Sequence, residues 1–186
     1  TWKSVEMVFS RQTNMLQHLI APARISPEVD KRARELAVEA IKTIGGPGIF
    51  GVEMFLMQDD GLLINEIAPR THNSGHFSID AAKTSQFEQQ VRILSGQTLL
   101  STQQTAPAVM INILGKSGYE GETVVEGLEQ VENLAGANFH FYGKRECFAS
   151  RKMGHATITA GTVDEAIKLA EEVQSGLVVR GANKSG

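Results

Sequence analysis

Two strand-like runs, Ile49 to Met57 and Leu62 to Ile67, are separated only by Gln58-Asp59-Asp60-Gly61, so the chain has to turn back on itself here. The Asp-Gly pair favours the positive φ that a tight hairpin requires, and alternating apolar residues flank it on both sides. A hairpin centred on Asp60 sets Glu53, seven residues before it, nearly opposite Glu66, six residues after it. Cross-strand neighbours have Cβ atoms about 4.5–5.5 Å apart, and two like charges at that spacing repel unless something positive lies between them. A hard divalent cation meets that need. Mg²⁺ in particular takes one or two carboxylates together with substrate phosphates, which makes the pair a candidate nucleotide–metal platform. The ordinary alternative is that both glutamates simply point to solvent, the commonest fate of a strand glutamate.

The hairpin follows a helical segment. Ser26-Pro27-Glu28 supplies an N-cap, a proline at the first helical position and an acid near the positive helix end. Val29, Ala33, Leu36, Ala37, Ala40, Ile41 and Ile44 then recur at helical spacing, and Gly45-Gly46-Pro47-Gly48 stops the helix. Upstream, Val5 to Ser10 and Met15 to Ala21 read as a first hairpin about a polar Arg11–Asn14 turn. Downstream, Ser85 and Glu88 suggest a capping box for a helix carrying Phe87, Val91 and Leu94. The polar stretch from Gln97 to Pro107 reads as a boundary, which gives expected domains of 1–98 and 99–186. Past it come strands at Ala108 to Leu114, Asn138 to Tyr142 and His155 to Thr159, and a short helix near Leu128 to Leu134. A last helix is announced by Thr162 and Glu165, and residues 181–186 are expected to fray.

Composition narrows the function classes. With 41% hydrophobic and 21% charged residues in 186, the chain has the make-up of a globular protein. A formal net charge of −3 gives no general basic surface for nucleic acid or acidic lipid, so an anion site has to be local. No apolar run reaches the roughly 18–20 residues of a membrane helix, and one cysteine, Cys147, excludes an internal disulfide. These features fit a cytoplasmic chain. It starts at Thr1, without methionine, and enters strand-like sequence at once, as an excised piece would.

Two further segments could carry chemistry. Asn65 to His76 gathers two histidines, an arginine and two asparagines in twelve residues, and the Arg70 guanidinium forms a planar fork suited to carboxylate, bicarbonate or phosphate. His72 and His76 stand four apart, but Ser74-Gly75 between them and the lack of a third ligand argue against zinc. The other segment places Lys144, Arg145, Arg151 and Lys152 against Glu146. Its net +3 in twelve residues leaves −6 for the rest of the chain. A local positive patch of this size suits a phosphate better than a duplex. An ordinary surface loop and a solvated basic turn are the alternatives for the two segments.

Gly48-Ile49-Phe50-Gly51-Val52-Glu53-Met54-Phe55, Leu62 to Arg70, His72-Asn73-Ser74-Gly75-His76 and Thr84-Ser85-Gln86-Phe87-Glu88 closely resemble the ATP-grasp enzymes that make N5-carboxyaminoimidazole ribonucleotide, the PurK-type family. Ala21-Pro22-Ala23-Arg24, Tyr142-Gly143-Lys144 and Arg151-Lys152-Met153-Gly154-His155 resemble it too, in the same order. The resemblance implies an α+β fold: the C-terminal lobe of the ATP-grasp domain, an antiparallel sheet with flanking helices, plus a small β-rich C-terminal domain. It implies ATP and Mg²⁺ as cofactors, with bicarbonate and 5-aminoimidazole ribonucleotide as substrates. By the same resemblance Glu53 and Glu66 hold metal, with Asn65 beside them at the nucleotide. Arg70, His72 and Asn73 meet bicarbonate and its phosphorylated form, and Lys144, Arg151 and Lys152 bind phosphate.

The family also implies a homodimer, transient contact with the downstream mutase, no nucleic acid and no membrane. Its members carry an N-terminal nucleotide-fold domain and a small ATP-binding lobe ahead of this region, so this stretch alone is expected to be inactive. Two departures from the pattern stand out: Thr71 where a proline is common, and Glu146 to Ser150 where a proline-containing turn is usual. The competing readings are a formate-using ATP-grasp paralogue of purine synthesis, and a non-catalytic module that dimerises or docks the mutase.

Overall fold

The computed structural model describes residues 1–9 and 16–184. Its elements in order are β1 (Glu6–Phe9), β2 (Leu16–Ala21), α1 (Pro27–Ile44), β3 (Gly51–Leu56), β4 (Leu62–Ala68), α2 (Ser78–Ala81), α3 (Gln86–Leu94), β5 (Ala108–Leu114), β6 (Tyr119–Glu126), α4 (Leu128–Val131), β7 (Ala137–Phe141), β8 (Glu146–Cys147), β9 (Lys152–Thr159), α5 (Val163–Gly176) and β10 (Val178–Lys184). The fold is α+β, as expected. Backbone contacts divide it into two compact units, Thr1–Glu6 with Ala21–Thr105, and Met7–Ile20 with Ala106–Gly186. No helix among the described residues is long and apolar enough to cross a membrane.

In the first unit α1 starts as its residues dictate. The Ser26 side chain accepts from Val29 N at 3.2 Å, Pro27 opens the first turn and Glu28 and Asp30 sit at the positive end. Asp30 is buried there: its carboxylate accepts from Ser4 N at 2.9 Å and from Arg34 Nε at 3.0 Å, and Lys3 Nζ lies 3.5 Å away. The N-terminal residues are thereby tied to the helix. β3 and β4 form a two-stranded antiparallel sheet. Its turn differs from the expected tight Asp-Gly type. Asp60 N donates to Met57 O at 3.1 Å, Met57 N donates to Gly61 O at 2.9 Å, and the positive φ of 61° falls on Asp60 rather than Gly61. This is a three-residue loop ending in a left-handed residue. Arg32 of α1 caps it, Nη2 donating to Asp60 O at 2.7 Å.

The region from Pro69 to Lys83 is more ordered than its polar sequence suggests. It contains a short 3₁₀ turn, Asn73–Gly75, and α2. The capping box expected at α3 is only half made: Ser85 Oγ accepts from Glu88 N at 3.1 Å, while the Glu88 carboxylate pairs instead with Arg92 one turn on.

The second unit holds most of the apolar core. Its five-stranded sheet has the order β1-β2-β5-β9-β7. Ile20, Val109, Ile111, Met153, Ala156, Ile158, Ala166, Ala170 and Val173 pack together in one cluster between that sheet and α5. The β1 and β2 strands match the expected first hairpin, whose connecting residues lie outside those described. The α5 capping box is complete, with Thr162 Oγ1 accepting from Glu165 N and Glu165 Oε2 accepting from Thr162 N. A three-stranded sheet, β10-β6-β8, completes this unit. Through it the C-terminus departs from the expected fraying: β10 pairs antiparallel with β6 as far as Lys184, opposite Tyr119. Gly121 within β6, and Gly118 and Gly127 on either side of it, interrupt the period by which the sequence would show that strand.

Candidate functional site

β3 and β4 set Glu53 directly opposite Glu66, where the count about Asp60 alone puts them nearly opposite; the pairs next to the turn, continued unchanged, would bring Asn65 opposite Glu53. The register then slips: Met54 faces Ile64, which leaves Asn65 as the extra residue of a bulge. Bulges release a side chain from strict alternation. Asn65 uses that freedom to donate from Nδ2 to Glu53 Oε2 at 3.3 Å. On the other side of Glu53 stands His72, with Nε2 3.7 Å from Glu53 Oε1. Donor atoms of Glu53, Glu66 and His72 all lie within 4.8 Å of one another, and among the described residues this is the one such group of three. Two carboxylates so placed fit a divalent cation, which offsets the repulsion of the facing glutamates, and the His72 imidazole stands beside them.

His72 occupies this position because several groups hold it. Its Nδ1 meets Ser74 Oγ at 2.8 Å, and Gly51 of β3 lies directly beneath it. A Cβ at Gly51 would fall 2.7 Å from His72 Cβ, so only glycine admits the ring there. Arg70 extends from the end of β4 into solvent, with Nη1 donating to Thr71 O at 3.0 Å and its other donors available. Asn73 Nδ2 is shielded from solvent without a hydrogen-bond partner. A buried donor left unmet in this way favours an anionic or carbonyl ligand. His76 does not join His72: its Nδ1 meets Gln86 Nε2 at 2.9 Å and its ring packs near Phe87, consistent with the argument against zinc.

Gln86 itself, the neighbouring Ser78 and the two tight glycines Gly51 and Gly75 were not singled out in the sequence as site residues. A glutamine at the start of a capped helix looks like a solvated first-turn residue. Only the path of the loop over it reveals otherwise.

The basic segment belongs to the second unit. Lys144 Nζ donates to Lys152 O at 2.5 Å and sits 5.6 Å from the centre of the Tyr142 ring. Arg151 Nη1 donates to Glu146 O at 2.7 Å, with the guanidinium 5.0 Å from the Phe148 ring centre. Lys144 and Lys152 are thus drawn together at the ends of β7 and β9, while Arg151 turns toward β8. Each of these two engaged cations keeps further N–H donors for a ligand. Beside them Tyr142 Oη lies 3.0 Å from Nδ1 of buried His155, whose ring stacks on His140 at 4.5 Å. Burial pushes the Tyr142 phenol up, so it remains protonated.

Comparison with known proteins divides the chain near the same later boundary, although Met7–Ile20 of the second unit fall within the first match. Residues 2–87 match the model of the ATP-grasp domain, and residues 108–169 match that of the phosphoribosylaminoimidazole carboxylase C-terminal domain. A phosphoribosylaminoimidazole carboxylase of Schizosaccharomyces pombe is 44% identical over 162 residues, 83% of this chain and 29% of that protein. An N5-carboxyaminoimidazole ribonucleotide synthase of Bacillus subtilis is 41% identical over 155 residues, 83% of this chain and 39% of that one. Among solved structures, N5-carboxyaminoimidazole ribonucleotide synthetase from Thermotoga maritima superposes with a TM-score of 0.86 at 40% identity, covering 97% of this chain and 53% of its own. The N5-carboxyaminoimidazole synthase of Aspergillus clavatus, in complex with ADP and 5-aminoimidazole ribonucleotide, gives 0.83 at 33% identity over 94% of this chain and 46% of its own. The chain therefore spans well under half the length of these curated relatives.

Proposed function

We propose that this chain, which belongs to the ATP-grasp family and continues into a phosphoribosylaminoimidazole carboxylase C-terminal domain, supplies the metal and bicarbonate groups for carboxylation of 5-aminoimidazole ribonucleotide. The observation that carries this reading is the meeting of Glu53, Glu66 and His72 at the bulged hairpin, with Arg70 two residues past the end of β4. In the reaction a bicarbonate oxygen attacks the γ-phosphorus of ATP, and ADP leaves. The amine of the ribonucleotide then attacks the carboxyphosphate carbon, phosphate leaves and the amine gives up a proton.

Within that scheme Glu53 and Glu66 would hold Mg²⁺, which when bound neutralises charge developing on the transferred phosphoryl group. Asn65 fixes the rotamer of Glu53 through its 3.3 Å hydrogen bond, so one carboxylate oxygen stays aimed across the strands. Arg70 offers a fork of N–H donors to bicarbonate and then to carboxyphosphate, whose charge it shares. His72 and the unmet donor of Asn73 orient the same anion. Lys144, Arg151 and Lys152 would take a phosphate of the ribonucleotide or of ATP in the second unit. Homodimer formation and passage of the product to a mutase belong to this proposal, on the strength of the resemblance alone.

The test is bicarbonate- and ribonucleotide-dependent ADP release by the full-length gene product. Glu66→Gln should lower kcat by about 10²–10³-fold, as loss of one electrostatic stabiliser does, with the melting transition retained. The same variant should weaken Mn²⁺ binding followed by electron paramagnetic resonance. Unchanged turnover would remove Glu66 from the metal site.

A further inference from the structure

We propose that Gln86 is a positioning residue for His72, acting as a fixed amide clamp on that residue's backbone. The consequence for catalysis rests on the reading of His72 given above; the clamp itself does not. Gln86 Oε1 accepts from His72 N at 2.9 Å, and Gln86 Nε2 donates to His72 O at 2.7 Å. The polarity of both backbone groups is fixed, so the amide has only one orientation. It pairs with residue 72 as a neighbouring strand would, though it comes from the first turn of α3.

That orientation propagates. Nε2 also donates to His76 Nδ1 at 2.9 Å, so His76 presents a lone pair there and carries its proton on Nε2. The Gln86 backbone N–H donates to Ser78 Oγ at 2.9 Å, and Ser78 in turn donates to Gly75 O at 2.5 Å. A Cβ at Gly75 would fall 2.4 Å from Gln86 Oε1, so the loop closes over the amide only because residue 75 is glycine. Gln86 is 2% exposed. A buried amide with both ends satisfied is rigid, and one with an end unmet is costly, so the network has a single arrangement.

His72 then has little freedom. Its backbone is held by Gln86, its Nδ1 by Ser74 and its Cβ by the approach of Gly51, which together aim Nε2 at Glu53. A displacement of about 1 Å at a group meeting the reacting anion can cost about 100-fold in rate. Gln86 is thus placed to set the efficiency with bicarbonate without touching bicarbonate.

Two variants of the full-length gene product test this: Gln86→Met, which fills the space and removes the side-chain hydrogen bonds, and Gln86→Glu, which keeps the acceptor for His72 N but loses both donations. Each should lower kcat/KM for bicarbonate by about 100-fold and leave the KM for ATP within about twofold. In a His72→Ala background each should add less than about twofold, because the clamp acts through the ring. Full additivity with His72→Ala overturns the proposal, and so does an equal rise in the KM for ATP. Melting curves accompany both variants, and Gln86→Glu decides the matter if Gln86→Met does not fold. The ¹⁵N resonances of the His72 imidazole give a readout independent of turnover. They should shift in Gln86→Glu even if His72→Ala proves fully active, the result that would defeat the catalytic reading of His72 alone. Unshifted resonances would overturn the clamp.

Discussion

At the scale of single residues, Asp30 shows how a charge can be both buried and useful. Burial alone would raise its pKa, but the hydrogen bonds from Ser4 and the charges on Arg34 and Lys3 outweigh it and hold the carboxyl below the ordinary value of 3.8. A group bound more tightly as the anion in the folded chain contributes stability that is complete above its unfolded pKa. That contribution is lost as pH falls through the depressed folded value. Asp30→Asn keeps the shape and loses the charge, so it should cost about 1–3 kcal/mol near neutral pH. In urea unfolding series the gap between the two proteins should close as pH drops below 3.8. A gap that stays constant to pH 2 would show that the ionic contacts do not stabilise the fold.

At the scale of elements, what the sequence disclosed and what it concealed divide along physical lines. Helices α1 and α5 are legible because side chains within a few residues cap them and apolar residues recur along one face. The β3–β4 pairing is legible for the same reason, since a short turn and alternating residues bring Glu53 close to Glu66, although the bulge sets which residue stands directly opposite. The Asn65 bulge could not be read, because it depends on register shared between two strands. Nor could the role of Gln86, which faces a loop ten to fourteen residues upstream. β10 was missed because its partner, β6, lies some sixty residues away. The turn at Asp60 carries its own prediction. An L-residue in the left-handed region costs about 1 kcal/mol or more, and glycine recovers most of that against its larger chain entropy. Asp60→Gly should therefore stabilise the chain by about 0.5 kcal/mol in equilibrium unfolding, with Arg32 still bonded to the carbonyl of residue 60. A loss of stability would mean that the Asp60 side chain contributes more than its backbone strain.

At the scale of the whole molecule, the second unit protects its own thiol. Cys147 is buried in the main core cluster, and burial raises its pKa against the opposing charge of Arg151, so it remains a protonated thiol. Native chain should react negligibly with a disulfide reagent such as dithiobis-nitrobenzoate and release one equivalent of thiol in guanidinium. Rapid labelling of the native chain would show that this core opens locally. The route of the backbone matters as well. It passes between the two units three times, and the early strands β1 and β2 are built into the sheet formed otherwise by residues after 106. In that sheet β2 lies against β5, whose run Ala108 to Ile111 is fully buried. A product beginning at residue 106, whether from proteolysis or from subcloning, would bare β5 as an unpaired apolar edge, the kind of template that recruits identical chains into aggregates. Strands β1 and β2 thus cover an edge through which the last eighty residues could otherwise associate with their own kind.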